Sequence, residues 1–200
     1  MNASTMEITM KSNPSGMKVL TLDIETTPHD AYTWGLWQQN IGLHMLKDPT
    51  RMMAWAAKWE GEDVVRYASE GSFSRRDMIL EIYDLVNEAD AIVHYNGIAF
   101  DMKHLHREFV EQELPPPLKY KNIDLLRVVK QMFKFPSNKL EYVAKVLLGE
   151  SKMETEGFNL WCRCLDFRGP GVHAALRFGR TALRNRARSA SGRRFQIALK

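Results

Sequence analysis

The chain reads as a mixed α/β sandwich in which helices cover a central sheet. Three observations predict this class. Consecutive strand-like runs fill the first part of the chain. From Ser74 onward, helical periods alternate with short apolar strands. Two of the apolar runs end in acidic motifs, and an open sheet gathers its functional groups at strand ends of this kind.

Lys18 to Asp23, rich in Val, Leu and Thr, predicts the first strand. Thr26 to Asp30 is turn-like around Pro28, and Ala31 to Leu46 lacks a firm period, so it reads as a loop with short elements. Arg51 to Lys58 predicts a strand, with Met53, Trp55 and Ala57 alternating with smaller residues. Val64, Val65 and Tyr67 predict its antiparallel neighbour across the acidic turn at Gly61. Ser74 to Glu88 is helical: Met78, Ile82, Leu85 and Val86 share a face, and Ser74 with Asp77 approximates a capping box.

Ala91 to His94 is the next strand, and Asp101 to Glu111 a helix with Leu105 and Phe109 inward. Pro115, Pro116 and Pro117 interrupt the chain before a short strand at Tyr120 to Ile123 and a helix from Leu125 to Phe133. Asn138, with Glu141 three residues on, predicts the cap of a last helix, which Gly149 ends.

Two hundred residues suit one domain. Its limits are expected at 17–165, after a polar flexible leader, 1–16, and before a basic segment, 166–200. The apolar runs are too short and too often charged to cross a membrane. The leader lacks the apolar core of a secretion signal, and Cys162 and Cys164 are too few and too close for a disulfide scaffold. A reducing, cytoplasmic setting follows.

The net charge of +4 is uneven. Asp166 to Lys200 carries nine basic residues and one acidic residue, +8, which leaves −4 for Met1 to Leu165. The tail suits either a phosphate-backbone partner or plain solvation.

Chemistry concentrates at two places. Asp23 and Glu25, separated by Ile24 at the end of an apolar run, share one side of a strand. Carboxylates aimed at one point repel unless a cation lies between them, and hard oxygen ligands suit Mg²⁺ or Mn²⁺. The same pair also suits an ordinary surface turn. Asp101 follows the strand Ala91 to Val93 and opens a helix, where the macrodipole favours a negative charge. Thr26, Thr27 and Asn96 suit either turn hydrogen bonds or a ligand, and Phe100 suits the core or a base. Trp34, Trp37, Trp55 and Trp59 read as packing aromatics ahead of base-stacking ones. No Gly-rich phosphate loop is present, which argues against an ATPase or a dinucleotide enzyme.

Asp23-Ile24-Glu25-Thr26 and Asn96-x-x-x-Phe100-Asp101 resemble the first two motifs of the DEDD superfamily of 3′-5′ exonucleases. The nearest likeness is to the phage and bacterial branch related to the proofreading domain of family B DNA polymerases, and it covers Lys18 to Cys164. The resemblance implies a ribonuclease H-like mixed central sheet flanked by helices. It implies two divalent cations, Mg or Mn, with Asp23 bridging both, Glu25 on the first and Asp101 on the second. Thr26, Thr27, Asn96 and Phe100 would serve the substrate. That substrate would be the 3′ end of nucleic acid, above all single-stranded DNA, cut to 5′-mononucleotides, and a DNA polymerase or replication complex is an implied partner. Asp124 matches a recurrent family acid and reads as a helix cap or auxiliary acid.

One departure stands against this match. The third motif, Tyr-x-x-x-Asp or His-x-x-x-x-Asp, is absent: no acid follows Asp166, no Tyr follows Tyr142, and Phe178 stands five places after His173. From Phe167 the chain turns Arg-, Ala- and Gly-rich, as a shifted reading frame or a divergent replacement would produce. The incomplete set implies weak or absent activity, and the alternative is an inactive nucleic-acid-binding or replication-complex module of the same fold.

Overall fold

The computed structural model describes residues 16–149. The leader up to Ser15, both cysteines and the basic tail from Asp166 lie outside the described residues.

Seven strands and four α-helices are present among the described residues: β1 (Val19–Thr26), β2 (Asp30–Ala31), β3 (Leu46–Asp48), β4 (Met52–Trp59), β5 (Arg66–Ser69), α1 (Arg75–Glu88), β6 (Ala91–His94), α2 (Asp101–Glu111), β7 (Lys121–Asp124), α3 (Leu125–Met132) and α4 (Leu140–Leu148). The main sheet has the order β5-β4-β1-β6-β7. β1 pairs antiparallel with β4 and parallel with β6, while β7 runs parallel to β6. The sheet is therefore mixed and helix-flanked, as the sequence predicts. The C-terminal ends of β1, β6 and β7 and the start of β4 meet at one edge, the place where an open sheet carries its site.

The pleat divides the core. Leu20, Leu22 and Ile24 of β1 pack with Trp55, Ala57 and Trp59 of β4 against Met78, Ile82 and Val86 of α1 and Leu105 and Phe109 of α2. On the other face Val93 packs with Leu125 and Val129 of α3 and Val143 of α4. β4 is buried on both faces, with Ala54 and Ala56 in a small cluster opposite the large one. Ser74 caps α1 by accepting the Asp77 N–H at 3.1 Å. Gly149, at φ +72°, ends α4 in the left-handed region that glycine enters without strain.

Three readings need correction. The strand placed at Val64, Val65 and Tyr67 is β5, Arg66–Ser69, so Val64 lies outside it and is exposed. Asn138 does not cap α4. The cap is Lys139, and the Asn138 carbonyl instead accepts the Tyr95 hydroxyl at 2.5 Å. The tryptophans divide: Trp55 and Trp59 are buried, whereas Trp34 and Trp37 are exposed. β4 puts its pair inside through the pleat, and Trp55 also donates its indole N–H to the Met78 carbonyl at 2.8 Å. The other pair sits on the β2–β3 connection, which has no place in the main sheet. No described helix is long and apolar enough to cross a membrane.

A buried charge ties α2 to the sheet. The fully buried Glu108 accepts the Met52 N–H at 2.7 Å and pairs with Arg75 of α1. Arg75 also donates to the Met52 carbonyl at 3.0 Å and to Glu70 at 2.8 Å, and Glu70 in turn receives Arg51 at 2.9 Å. Glu108→Ala leaves the buried Met52 amide unsatisfied, at a cost of about 1–3 kcal/mol. The expected result is a lower urea midpoint with an unchanged slope.

Candidate active site

Asp23 and Glu25 alternate with the buried Leu22 and Ile24, so the pleat turns both acids away from the large core. Their side chains are half-buried. β6 pairs with β1 only through Thr21–Val93. Beyond that pair a side chain takes over from the ladder: Asp101, 3% exposed, accepts the Ile24 N–H on Oδ1 at 3.1 Å. The amide it captures is the one between Asp23 and Glu25, so the fold brings the three predicted acids to one strand end. A register shift between Glu25 and Thr26 marks a β-bulge at the same point. Bulges re-aim side chains in this way beside functional sites.

The segment from Tyr95 to Phe100 that leads into Asp101 is held by two polar side chains. Asp124 accepts the Asn96 N–H at 2.9 Å and the Ile98 N–H at 3.3 Å, and also caps α3 through the Leu126 N–H at 3.0 Å. It therefore acts as a cap, and its two oxygens serve backbone amides. His94, 1% exposed, accepts the Gly97 N–H on Nδ1 at 3.1 Å and meets Asn122 Oδ1 through Nε2 at 3.0 Å. Both contacts are satisfied by one neutral tautomer, protonated on Nε2. Burial pushes the His94 pKa down, opposed by the Asn122 hydrogen bond and the Asp124 charge. Tyr95 is pushed up to about 12 by burial and by Asp124.

The four predicted substrate residues differ in placement. Phe100 is 40% exposed, with its ring 4.6 Å from that of His104. Asn96 is exposed and left-handed at φ +67°, a conformation Asn tolerates better than most residues. Thr26 is half-buried at the bulge. Thr27 is buried and faces the turn: its Oγ1 accepts the Arg51 N–H at 3.0 Å, and its carbonyl accepts the Thr50 hydroxyl at 2.5 Å.

Asp23, Glu25 and Asp101 supply the hard oxygen donors that Mg²⁺ or Mn²⁺ prefers. Among the described residues, however, no three or more His, Cys, Asp or Glu are grouped closely enough to hold a metal ion. The donor set therefore fits a divalent cation in kind, while the spacing of the three carboxylates does not gather them into a metal site.

Sequence reasoning assigned no site role to Glu108 or to His94. A signal for Glu108 existed, because Asp101, Leu105 and Glu108 follow one helical stripe and all three are buried. Nothing local marks His94, whose role depends on Asn122 from the neighbouring strand.

A family model for the RNase H superfamily matches residues 20–167. No curated protein matches the chain. Among solved structures, the family B DNA polymerase of the hyperthermophilic archaeon Pyrobaculum calidifontis is similar in fold, with a TM-score of 0.59 and 17% identity. The match covers 96% of this chain and 28% of the polymerase chain.

Two outcomes follow from the turn. A Cβ on Gly97 would lie 2.4 Å from the His94 ring, so Gly97→Ala is expected to destabilise by about 1–3 kcal/mol, read from thermal unfolding. The folded pKa of His94 lies below the unfolded value of 6.5, so the unfolded chain binds more protons below that pH. The stability held above pH 6.5 should fall as the pH drops toward and through the lowered folded value. His94→Gln should reduce the slope of stability against pH in that window by up to about one proton.

Proposed function

This chain belongs to the RNase H superfamily, and from that premise we propose that it is a metal-dependent nuclease that removes nucleotides from the 3′ end of single-stranded DNA. One observation carries the reading: Asp101 Oδ1 holds the backbone amide between Asp23 and Glu25, which joins both acidic motifs in one place. Support for the direction of cutting comes from the resemblance of those motifs to 3′-5′ exonucleases. The fold likeness to a DNA polymerase supports a nucleic-acid substrate and a replication complex as its setting.

In this reading Asp23, Glu25 and Asp101 would hold the cations, and bound divalent ions would lower the pKa of the attacking water and stabilise the leaving 3′ oxygen. The chain's own residues do the positioning. The Ile24 amide fixes one oxygen of Asp101, and the bulge after Glu25 would help to orient the Glu25 carboxylate. Phe100 would offer a ring face to the terminal base, with Thr26 and Asn96 serving the same nucleotide. Thr27 contributes through the turn that it anchors to Arg51. Water adds to phosphorus, the bond from phosphorus to the 3′ oxygen breaks, and a 5′-mononucleotide leaves.

A second reading, a nucleic-acid-binding module without catalysis, is favoured by the absence of any acid after Asp166. The test is shortening of a 5′-labelled single-stranded oligonucleotide in Mn²⁺, with Asp23→Ala and Asp101→Asn alongside. Single-nucleotide steps that slow by about 10²-fold or more in either variant, on the order of 3 kcal/mol, are the expected result. Folded wild-type protein that leaves the strand intact would sink the nuclease reading in favour of the binding module.

A further inference from the structure

The connection between β1 and β4 exposes aromatic surface that a folded chain normally covers. Trp34 is 98% exposed, Trp37 84% and Tyr32 70%. Single exposed apolar residues are ordinary, but three aromatic rings within six residues form a patch, and patches mark binding surfaces. The segment is also tied down at its base. β2 pairs with β3, the Tyr32 N–H reaches the Met45 carbonyl at 2.9 Å, and Lys47 meets Asp30 at 2.9 Å. At its tip, Gln39 Nε2 donates to the Trp37 carbonyl at 2.8 Å, and Gln38 is held left-handed at φ +49°. Non-glycine residues adopt that conformation at an energetic cost, which is met most often where function requires it.

The chemistry of the patch indicates its occupant. Ala31 to Leu46 contains no Asp or Glu, although Met1 to Leu165 as a whole carries −4. The aromatics stand beside the neutral amides of Gln38, Gln39 and Asn40. The segment is neutral, without Lys or Arg, and exposes Leu36 and Leu43 beside the rings, so it offers a single strand ring faces for its bases and no charge that repels its phosphates. The arm also leaves β1 just after Asp23 and Glu25 and returns into β4 at Met52, so it springs from the sheet edge where Asp101 lies.

We propose that this arm is a stacking platform for the bases of single-stranded nucleic acid, with Trp34 and Trp37 as its contact rings. The inference rests on the nuclease reading for the destination of the strand. Stacking tolerates any base, because every base has a π face, so the platform binds without sequence preference.

The test uses the full chain, EDTA to suppress hydrolysis, and a fluorescein-labelled single-stranded oligothymidylate followed by anisotropy. Trp34→Ala with Trp37→Ala should weaken binding at least about tenfold, given the usual worth of one stacked base. Trp34→Phe with Trp37→Phe should retain most of the affinity, since a phenyl ring still stacks. Because both rings are exposed, the melting temperature should not move in either variant. Equal affinity of the wild type and the double alanine variant overturns the platform. So does an absence of wild-type binding, or a change of sedimentation with oligonucleotide affinity unchanged, which would assign the arm to contact between copies. None of these outcomes touches the strand-shortening assay on Asp23, which decides the nuclease reading by itself.

Discussion

The arrangement of this protein depends on two buried carboxylates of α2 that capture backbone amides of the sheet. Asp101 takes the amide of Ile24 in β1, and Glu108 takes that of Met52 at the start of β4. Seven residues of helix span about 10 Å, close to two turns, so both acids project from one side of α2. The helix thereby bridges two antiparallel strands at the edge where Asp23 and Glu25 lie. Apolar contact from Leu105 and Phe109 gives α2 its burial, but such contact is non-directional and would tolerate small slips. The two charge-assisted hydrogen bonds remove that freedom. They place Asp101 beside Ile24, and so beside Asp23 and Glu25.

A second layer of polar contacts holds the segment that delivers Asp101. Asp124 occupies both oxygens with amides of Asn96, Ile98 and Leu126, so the end of β7 and the start of α3 brace the end of β6. His94 works beneath the same segment as a neutral ring, accepting from Gly97 while paired with Asn122. Gly97 is required by proximity, since the imidazole occupies the space of a side chain. Backbone amides that a longer ladder would have satisfied are met here by side chains.

The opposite treatment of aromatic residues separates the scaffold from the arm. Trp55 has its indole hydrogen-bonded and its ring enclosed, as a buried tryptophan requires. Trp34 and Trp37 have their rings in solvent on a connection clamped at its root. A clamp without a core preserves the position of the arm and leaves its side chains available.

The sequence by itself determined the elements and the chemistry at their ends. The alternation of β1, the period of α1 and α2, the capping of α1 by Ser74 and the end of α4 at Gly149 are all local, set by spacing and by side-chain reach. The same holds for Asp23 and Glu25 sharing a side, because a strand repeats every two residues. Only the tertiary structure decided what depends on partners distant in the chain. Asp101 meets Ile24 across 77 residues, Glu108 meets Met52 across 56, and Tyr95 draws the Asn138 carbonyl across 43. Burial of each tryptophan was decided in the same way. A hydrophobic residue goes inside only if its element packs into the core, as β4 does and the segment that carries Trp34 and Trp37 does not. Periodicity reports which face of an element is apolar. Which element meets that face depends on the packing of the whole sheet.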